Sequence, residues 1–481
     1  MGRYREYNPN QVFFHPIDGI EIRGHNPLLR KVDEYVEKYM DIAPFESKLG
    51  NDALGAPAIH PKILLKVLFY ALATGVRGSR KIEDHLRWDP NFLILSCQES
   101  IDHSTICEFL NNYREEILDC FSKMDYVLQQ MRYLDNDFIA IDGTKIKACA
   151  GKNFTGTAKD FRKKLVRIKQ KVSETIDNLG KHDDEDSSFT TRKERKVEAL
   201  QREQQKIEEF LKEVKSGVED DEKRVNLNDR DACVVKDQGS FYPGYNCQIA
   251  VEGKHHFIVA QQVFNNPADQ LHVVPMVEVV ESQTRSDLTS SEIAFDAGYF
   301  TAENLKYCAE QGLNVYMPEG KGQDGTKAHW GKTLSSKDCE ASWENNTAHL
   351  VCPGKQKMKG KLRYRKDKNL FLYVFRPDRK QCRYCSLLKN CYGEAKTKSF
   401  ELGKAYVENT ELRLEMTKKL ASEQGKKRRA DRACVVEHVF GEIKEALNLR
   451  RFYHRGLKMV RLVWAMTAMA YNLRKLATLS G

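Results

Sequence analysis

The chain has 481 residues, of which 41% are hydrophobic and 30% charged. That exceeds what one hydrophobic core of roughly 250–300 residues organises, so two to four domains are expected, and a disordered or fibrous chain is excluded. The 78 Lys and Arg against 68 Asp and Glu leave a formal charge of +10, which suits an anionic partner. The start, MGRYREYNPN, has no apolar signal segment, and no stretch reaches the roughly 18 apolar residues of a spanning helix, so no membrane role and a cytoplasmic, nucleoid-associated location are expected.

Residues 1–125 read as helical. PKILLKVLFYAL (61–72) has the apolar density of a buried helix, with Pro61 in the first turn and Gly75 beyond its end. SRKIEDHLRW follows and stops before Asp89-Pro90, and a further helix follows Asp102-His103-Ser104-Thr105, capped by Asp102 or Ser104. Such a set serves equally as a bundle or as a DNA-reading module. FIAI (138–141) then reads as a buried strand ending at Asp142-Gly143, with Lys145 and Lys147 alternating beyond it. Residues 155–225 read as a charged helical hairpin turning at HDDEDSSF, either a solvated arm or, through the seven Lys or Arg of 159–171, a DNA contact.

From Tyr245 an α/β pattern resumes. Tyr245–Val251 and Phe257–Val263 form a hairpin, a helix is expected over 268–281, IAFD (293–296) is a strand, Thr301 caps a helix to Glu310, and NVYM (314–317) is a last strand. Residues 319–415 show little periodicity and carry a cysteine cluster. Lys418–Arg432 is densely basic, and helices are expected over 435–449 and 456–476. Trp464 reads as core, and His103 and His438 as turn and packing residues.

Two carboxylates share a setting: Asp142 in IAIDG and Asp296 in IAFDAG each end an apolar strand. An unpaired carboxylate there costs several kcal/mol, on the order of other buried charges, and two together repel unless a cation lies between them. Mg²⁺ (or Mn²⁺) meets that need with carboxylate, water and phosphate oxygens. The simpler reading is that each aspartate caps a turn. Glu437, in CVVEHVFGEIK, is a third candidate ligand; Arg428, Arg429 and Arg432 lie upstream, and Lys444 shares its helix face. The competing reading is a surface glutamate. Two aspartates and a glutamate can hold two ions roughly 3.5–4 Å apart for in-line attack on a phosphodiester without a nucleophilic side chain.

These segments, IAIDGTKIKA, IAFDAGYF and VVEHVFGEIKEALNLRRFYHRG, resemble the three blocks of bacterial insertion-sequence DDE transposases with a helical N-terminal domain and a ribonuclease-H-like core. HPKILLKVLFYALATGVRGSRKIEDHL, IDHSTICEF and WAMTAMAYNLRKL extend the similarity over nearly the whole chain. The resemblance implies a multidomain α+β fold: 1–125 a helical domain for DNA recognition, 130–154 and 240–318 parts of a mixed sheet with flanking helices, 155–225 a helical-arm insertion, 319–415 a cysteine-rich insertion, and 416–481 helices completing the core. It implies cleavage and strand transfer of double-stranded DNA at terminal inverted repeats into target DNA, by a homodimer or higher assembly. Asp142, Asp296 and Glu437 are then catalytic. Of the family's tyrosine-arginine-glutamate-lysine signature, Glu437 and Lys444 are present; Ala430 and Ala433 stand at the other places, and Arg429 or Arg432 substitutes from a neighbouring turn. Tyr299 matches the pattern after the second aspartate, either as a DNA contact or as a core residue. Arg450, Arg451 and Arg455 extend the DNA-binding set.

Cys352, Cys382, Cys385 and Cys391 have the spacing C-x29-C-x2-C-x5-C. A structural Zn²⁺ would supply folding energy in a segment too polar for a core, the alternative being reduced structural cysteines. The other functional readings of the chain are a metal-dependent nuclease without strand transfer, an RNA-directed nuclease, and a repurposed DNA-binding protein.

Overall fold

The structure, a computed structural model, describes residues 6, 24–48, 57–134, 136–179, 187–217, 221–237, 239–320, 333–366, 370–393 and 395–479. Residues 182–186 of the expected HDDEDSSF turn lie outside the described residues.

The N-terminal helices are α1 (Pro27–Tyr39), α2 (Pro61–Ala73), α3 (Ser79–Trp88), α4 (His103–Asn112) and α5 (Arg114–Gln130). Asp102 is the cap of α4, accepting from the Thr105 amide at 2.7 Å, and His103 pairs with Glu83 at 2.8 Å. Strand β1 (Phe138–Lys147) does continue past the aspartate. Two long helices follow, α6 (Ala158–Leu179) and α7 (Ser187–Lys215), closed on each other around Phe161, Ile168, Ile207 and Phe210.

The main sheet is completed by β2 (Cys233–Asp237), β3 (Ser240–Glu252), β4 (Ile258–Phe264), β5 (Glu292–Phe295) and β6 (Asn314–Tyr316). Its order is β2–β3–β1–β5–β6, with β4 also paired to β3; β3 is antiparallel to its neighbours, while β1, β5 and β6 run parallel. Between β4 and β5 lies α8 (Val273–Thr284), and between β5 and β6 lies α9 (Ala302–Glu310). The helix expected from residue 268 begins five residues later, after a short 3-10 turn over Asp269–Leu271. Pro275 has no N–H to give and is tolerated only in a helix's first turn, which fixes the later start.

Residues 340–403 correct the expectation of a segment without a core. They form a second, antiparallel sheet of β7 (Glu340–Glu344), β8 (Thr347–Val351), β9 (Lys357–Arg365), β10 (Leu370–Phe375) and β11 (Phe400–Gly403), around Leu350, Met358, Phe375 and Phe400. The strands bury few residues each, so the alternation in KMKGKLRYR is masked by its lysines and arginines.

Helix α10 (Thr410–Ala421) leads to α11 (Glu423–Glu445), and α12 (Leu457–Leu479) ends the fold. The basic run thus spans the end of α10 and the first half of α11, with Ser422 capping α11, because Lys, Arg, Glu and Gln are good helix formers without any apolar pattern. Helix α12 is apolar nearly all round and is buried accordingly. It packs on β4 on one side and on α1, α2 and α5 on another. One hydrophobic cluster therefore runs from Leu29 and Leu65 through Trp464 to Ala140 and Ile249 of the sheet. The N-terminal helices share this core.

Candidate active site

Strand alternation assigns the two faces of β1. Phe138, Ala140 and Ile146 point to the α11–α12 side; Ile139 and Ile141 point to the side of α8 and α9. The parallel register pairs Phe138 with Glu292 and Ile141 with Phe295. The next residue of each strand is Asp142 and Asp296, so the equivalent patterns IAID and IAFD bring the two carboxylates side by side.

Helix α11 supplies the cation between them. The Arg432 guanidinium lies 3.3 Å from Asp142 Oδ2 and 3.1 Å from Asp296 Oδ1. Its side chain is 10% exposed, that of Asp142 19% and that of Asp296 54%. Burial pushes the Asp142 carboxyl up to about 6; Arg432 and the Gly143 amide oppose this, while Asp296 and Asp269 add to it. One arginine thus does not offset burial together with two neighbouring acids.

Glu437 lies five residues beyond Arg432 on the same helix, roughly 140° around the axis and about 7.5 Å along it. It is exposed, and among the described residues it has no hydrogen-bond or ion-pair partner. The expectation that arginines crowd around Glu437 is corrected: Arg428 pairs with Glu292 and Asp431, and Arg432 with the two aspartates, because both lie on the side of α11 that covers the sheet. Arg432 is therefore not free for DNA phosphates. Among the described residues no group of three His, Cys, Asp or Glu side chains is placed to hold a metal ion, so the three carboxylates are not gathered in one cluster. Asp142 and Asp296 carry the oxygen donors that suit a hard cation.

The opposite face of β1 carries a polar network that the sequence did not disclose. Asp269 Oδ1 accepts from Lys145 Nζ and Asn246 Nδ2 at 2.7 Å and from Gln248 Nε2 at 2.9 Å. Gln248 Oε1 accepts from the Tyr299 hydroxyl. Tyr299 is 1% exposed, so its expected contact with DNA is corrected: the ring is core, and its hydroxyl is used inside the protein. Gly143 makes this network possible. A Cβ there would come within 2.0 Å of Gln248 Nε2 and 2.9 Å of Asn246 Oδ1. Gly143→Ala should displace both amides and cost about 1–3 kcal/mol, as overpacking does; a denaturant titration showing an unchanged midpoint would refute this. Asp269 could have been suspected only from its place after the Asn266-Pro267 break, a weak signal.

The remaining candidates lie apart. Arg429 is exposed and Lys444 half-buried on α11. Arg450, Arg451 and Arg455 are exposed on the connection to α12, with Arg450 paired to Glu445. Cys352, Cys382, Cys385 and Cys391 line one small apolar cavity. A Cβ at Gly354 would lie 2.8 Å from Cys385 Sγ and 3.6 Å from Cys352 Sγ, but Cys382 Sγ points to Gln356 Oε1 at 3.6 Å. Among the described residues no group of three thiols stands ready-formed as a metal site.

A mixed sheet bearing paired carboxylates on neighbouring strands, under a helix that supplies the countercharge, is a form suited to metal-assisted chemistry on phosphates. Comparison with known proteins narrows this. Residues 351–477 match the family described as "Transposase DDE domain", and residues 18–112 match "Transposase domain (DUF772)". Both matches are to transposase domains, over separate stretches that each span less than half of the chain. Glu437 lies within the first match, and Asp142 and Asp296 lie in neither. No curated protein and no solved structure gives a significant match. Among the described residues no helix is long and apolar enough to cross a membrane.

Proposed function

We propose that this transposase cleaves DNA strands at the ends of an insertion sequence and joins them to target DNA, with Asp142, Asp296 and Glu437 as its catalytic carboxylates. The observation that carries the proposal is the convergence of Asp142 and Asp296, from strands 154 residues apart, on one cation. The strand order, antiparallel on one side of β1 and parallel on the other, supports a ribonuclease-H-like core. Mg²⁺ or Mn²⁺, two ions in this reading, would lower the pKa of the attacking water or hydroxyl and stabilise the leaving oxygen.

The chain's own residues do the rest. Asp142 and Asp296 hold negative charge side by side on neighbouring strands, and Arg432 bridges them. Glu437 completes the set from the exposed flank of α11. Lys145 and Gln248 fix β1 against β3 through Asp269. Arg429, Lys444, Arg450, Arg451 and Arg455 contact phosphates, and the N-terminal helices read the terminal repeats, in a homodimer or higher assembly on DNA. The purified protein should nick duplexes carrying the element's ends only with a divalent ion. Asp142→Asn and Asp296→Asn should each abolish nicking and leave binding intact; cleavage by either variant at the parent's rate would remove the assignment.

The cysteine cavity belongs to the proposal as a structural Zn²⁺ site, supported by the four thiols sharing one cavity. Elemental analysis should find one zinc per chain, lost in Cys385→Ser; protein purified without chelator and free of zinc would exclude it.

A further inference from the structure

The far end of β1 opens into a cavity of about 570 Å³. Four cations line it, Lys147, Lys152, Arg451 and Arg455, and no carboxylate does. Among the described residues none of the four is in an ion pair. Backbone pairing brings them together: Lys147 and Arg451 form an isolated parallel bridge, and the Phe452 amide donates to the Lys147 carbonyl at 2.8 Å. Arg455 Nε donates to the Cys149 carbonyl at 3.0 Å, and Lys147 Nζ sits 5.2 Å from the centre of the Tyr242 ring. Four like charges gathered by the fold repel one another unless an anion joins them.

We infer that this cavity seats backbone phosphodiesters of the DNA strand being processed, with Lys147, Lys152, Arg451 and Arg455 as their ligands. This rests on the proposed transposase reading and adds to it a binding site and two residues. Lys147 is five residues beyond Asp142 on one strand, roughly 16 Å away. The cavity is open, which suits a continuous chain running through it.

The test is binding of a random-sequence duplex to the full chain, followed by anisotropy across a salt series. The parent should show a steep fall of log affinity with log salt. The variant K147Q/K152Q/R451Q/R455Q should bind at least roughly tenfold more weakly, with a slope shallower by about two or more. The charge-keeping K147R/R451K/R455K should retain the slope, which separates lost charge from lost folding. The control K359Q/K361Q/R363Q, on β9 of the other sheet, should behave as the parent. A fourfold variant with the parent's slope overturns the inference while leaving the transposase reading intact. So does saturable binding of inorganic phosphate that the variant loses while duplex affinity is unchanged, since the site would then serve free phosphate compounds. A parent that binds no duplex at all defeats the transposase reading itself.

Discussion

Arg432→Ala is expected to destabilise the protein by about 3–5 kcal/mol at pH 8, because it leaves two neighbouring carboxylates without a countercharge. The guanidinium is nearly buried and touches both Asp142 and Asp296, so water replaces it poorly. Two features distinguish this loss from that of any buried arginine. The deficit should shrink toward pH 5, where Asp142 takes up a proton. It should also shrink on adding Mg²⁺ or Mn²⁺, which supplies the missing charge, so the variant's melting temperature should rise with metal more than the parent's does. Calorimetry over pH and metal concentration measures both. A deficit indifferent to both would mean that Arg432 acts through packing alone.

Asp142→Asn should separate stability from activity. The folded-state pKa of Asp142 is raised from 3.8 to about 6, chiefly by burial. Below about pH 4 the carboxyl is protonated in both folded and unfolded chains and costs nothing. As pH rises the unfolded chain ionises first, so the parent loses stability until the folded carboxyl also ionises near pH 6. At 1.36 kcal/mol per pKa unit the full cost above that pH is roughly 3 kcal/mol. The asparagine variant does not titrate. It should therefore melt higher than the parent at pH 8 and match it near pH 4, while cleaving no DNA. Metal should raise the parent's melting temperature and not the variant's. A variant less stable than the parent at pH 8 would show that the buried aspartate is not under electrostatic load.

Much of this arrangement is legible in the sequence, and the limits have physical causes. The matched patterns IAID and IAFD point to both aspartates; Asp296 does end its strand, whereas β1 runs on past Asp142 to Lys147. The apolar run over 456–476 points to a helix with Trp464 in the core. What it covers, the N-terminal helices as well as the sheet, could not be read, because periodicity records burial and not the partner. Removing residues 1–125 would therefore strip α12 of cover along with any DNA-reading function. The role of Arg432 was hidden because local spacing placed it among five neighbouring basic residues, and only the crossing of α11 over the strand ends selects it. Gly143 reads as a turn glycine beside Asp142. In the structure it lies within β1, and what matters is the missing Cβ against Gln248 from a strand more than 100 residues away. The sheet over 340–403 leaves little trace in the sequence because each of its strands contributes only a few buried side chains.

In the proposed function Asp142 and Asp296 form a cation-binding pair whose charge Arg432 balances in the absence of metal. Anomalous diffraction from crystals of the full chain soaked in Mn²⁺ tests it most directly. A Mn²⁺ peak is expected at about 2.0–2.2 Å from oxygens of both aspartates, with the Arg432 guanidinium moved off at least one of them, and no peak in Asp142→Asn. Saturating Mn²⁺ with no peak between the aspartates, and Arg432 still bridging the two, would contradict it.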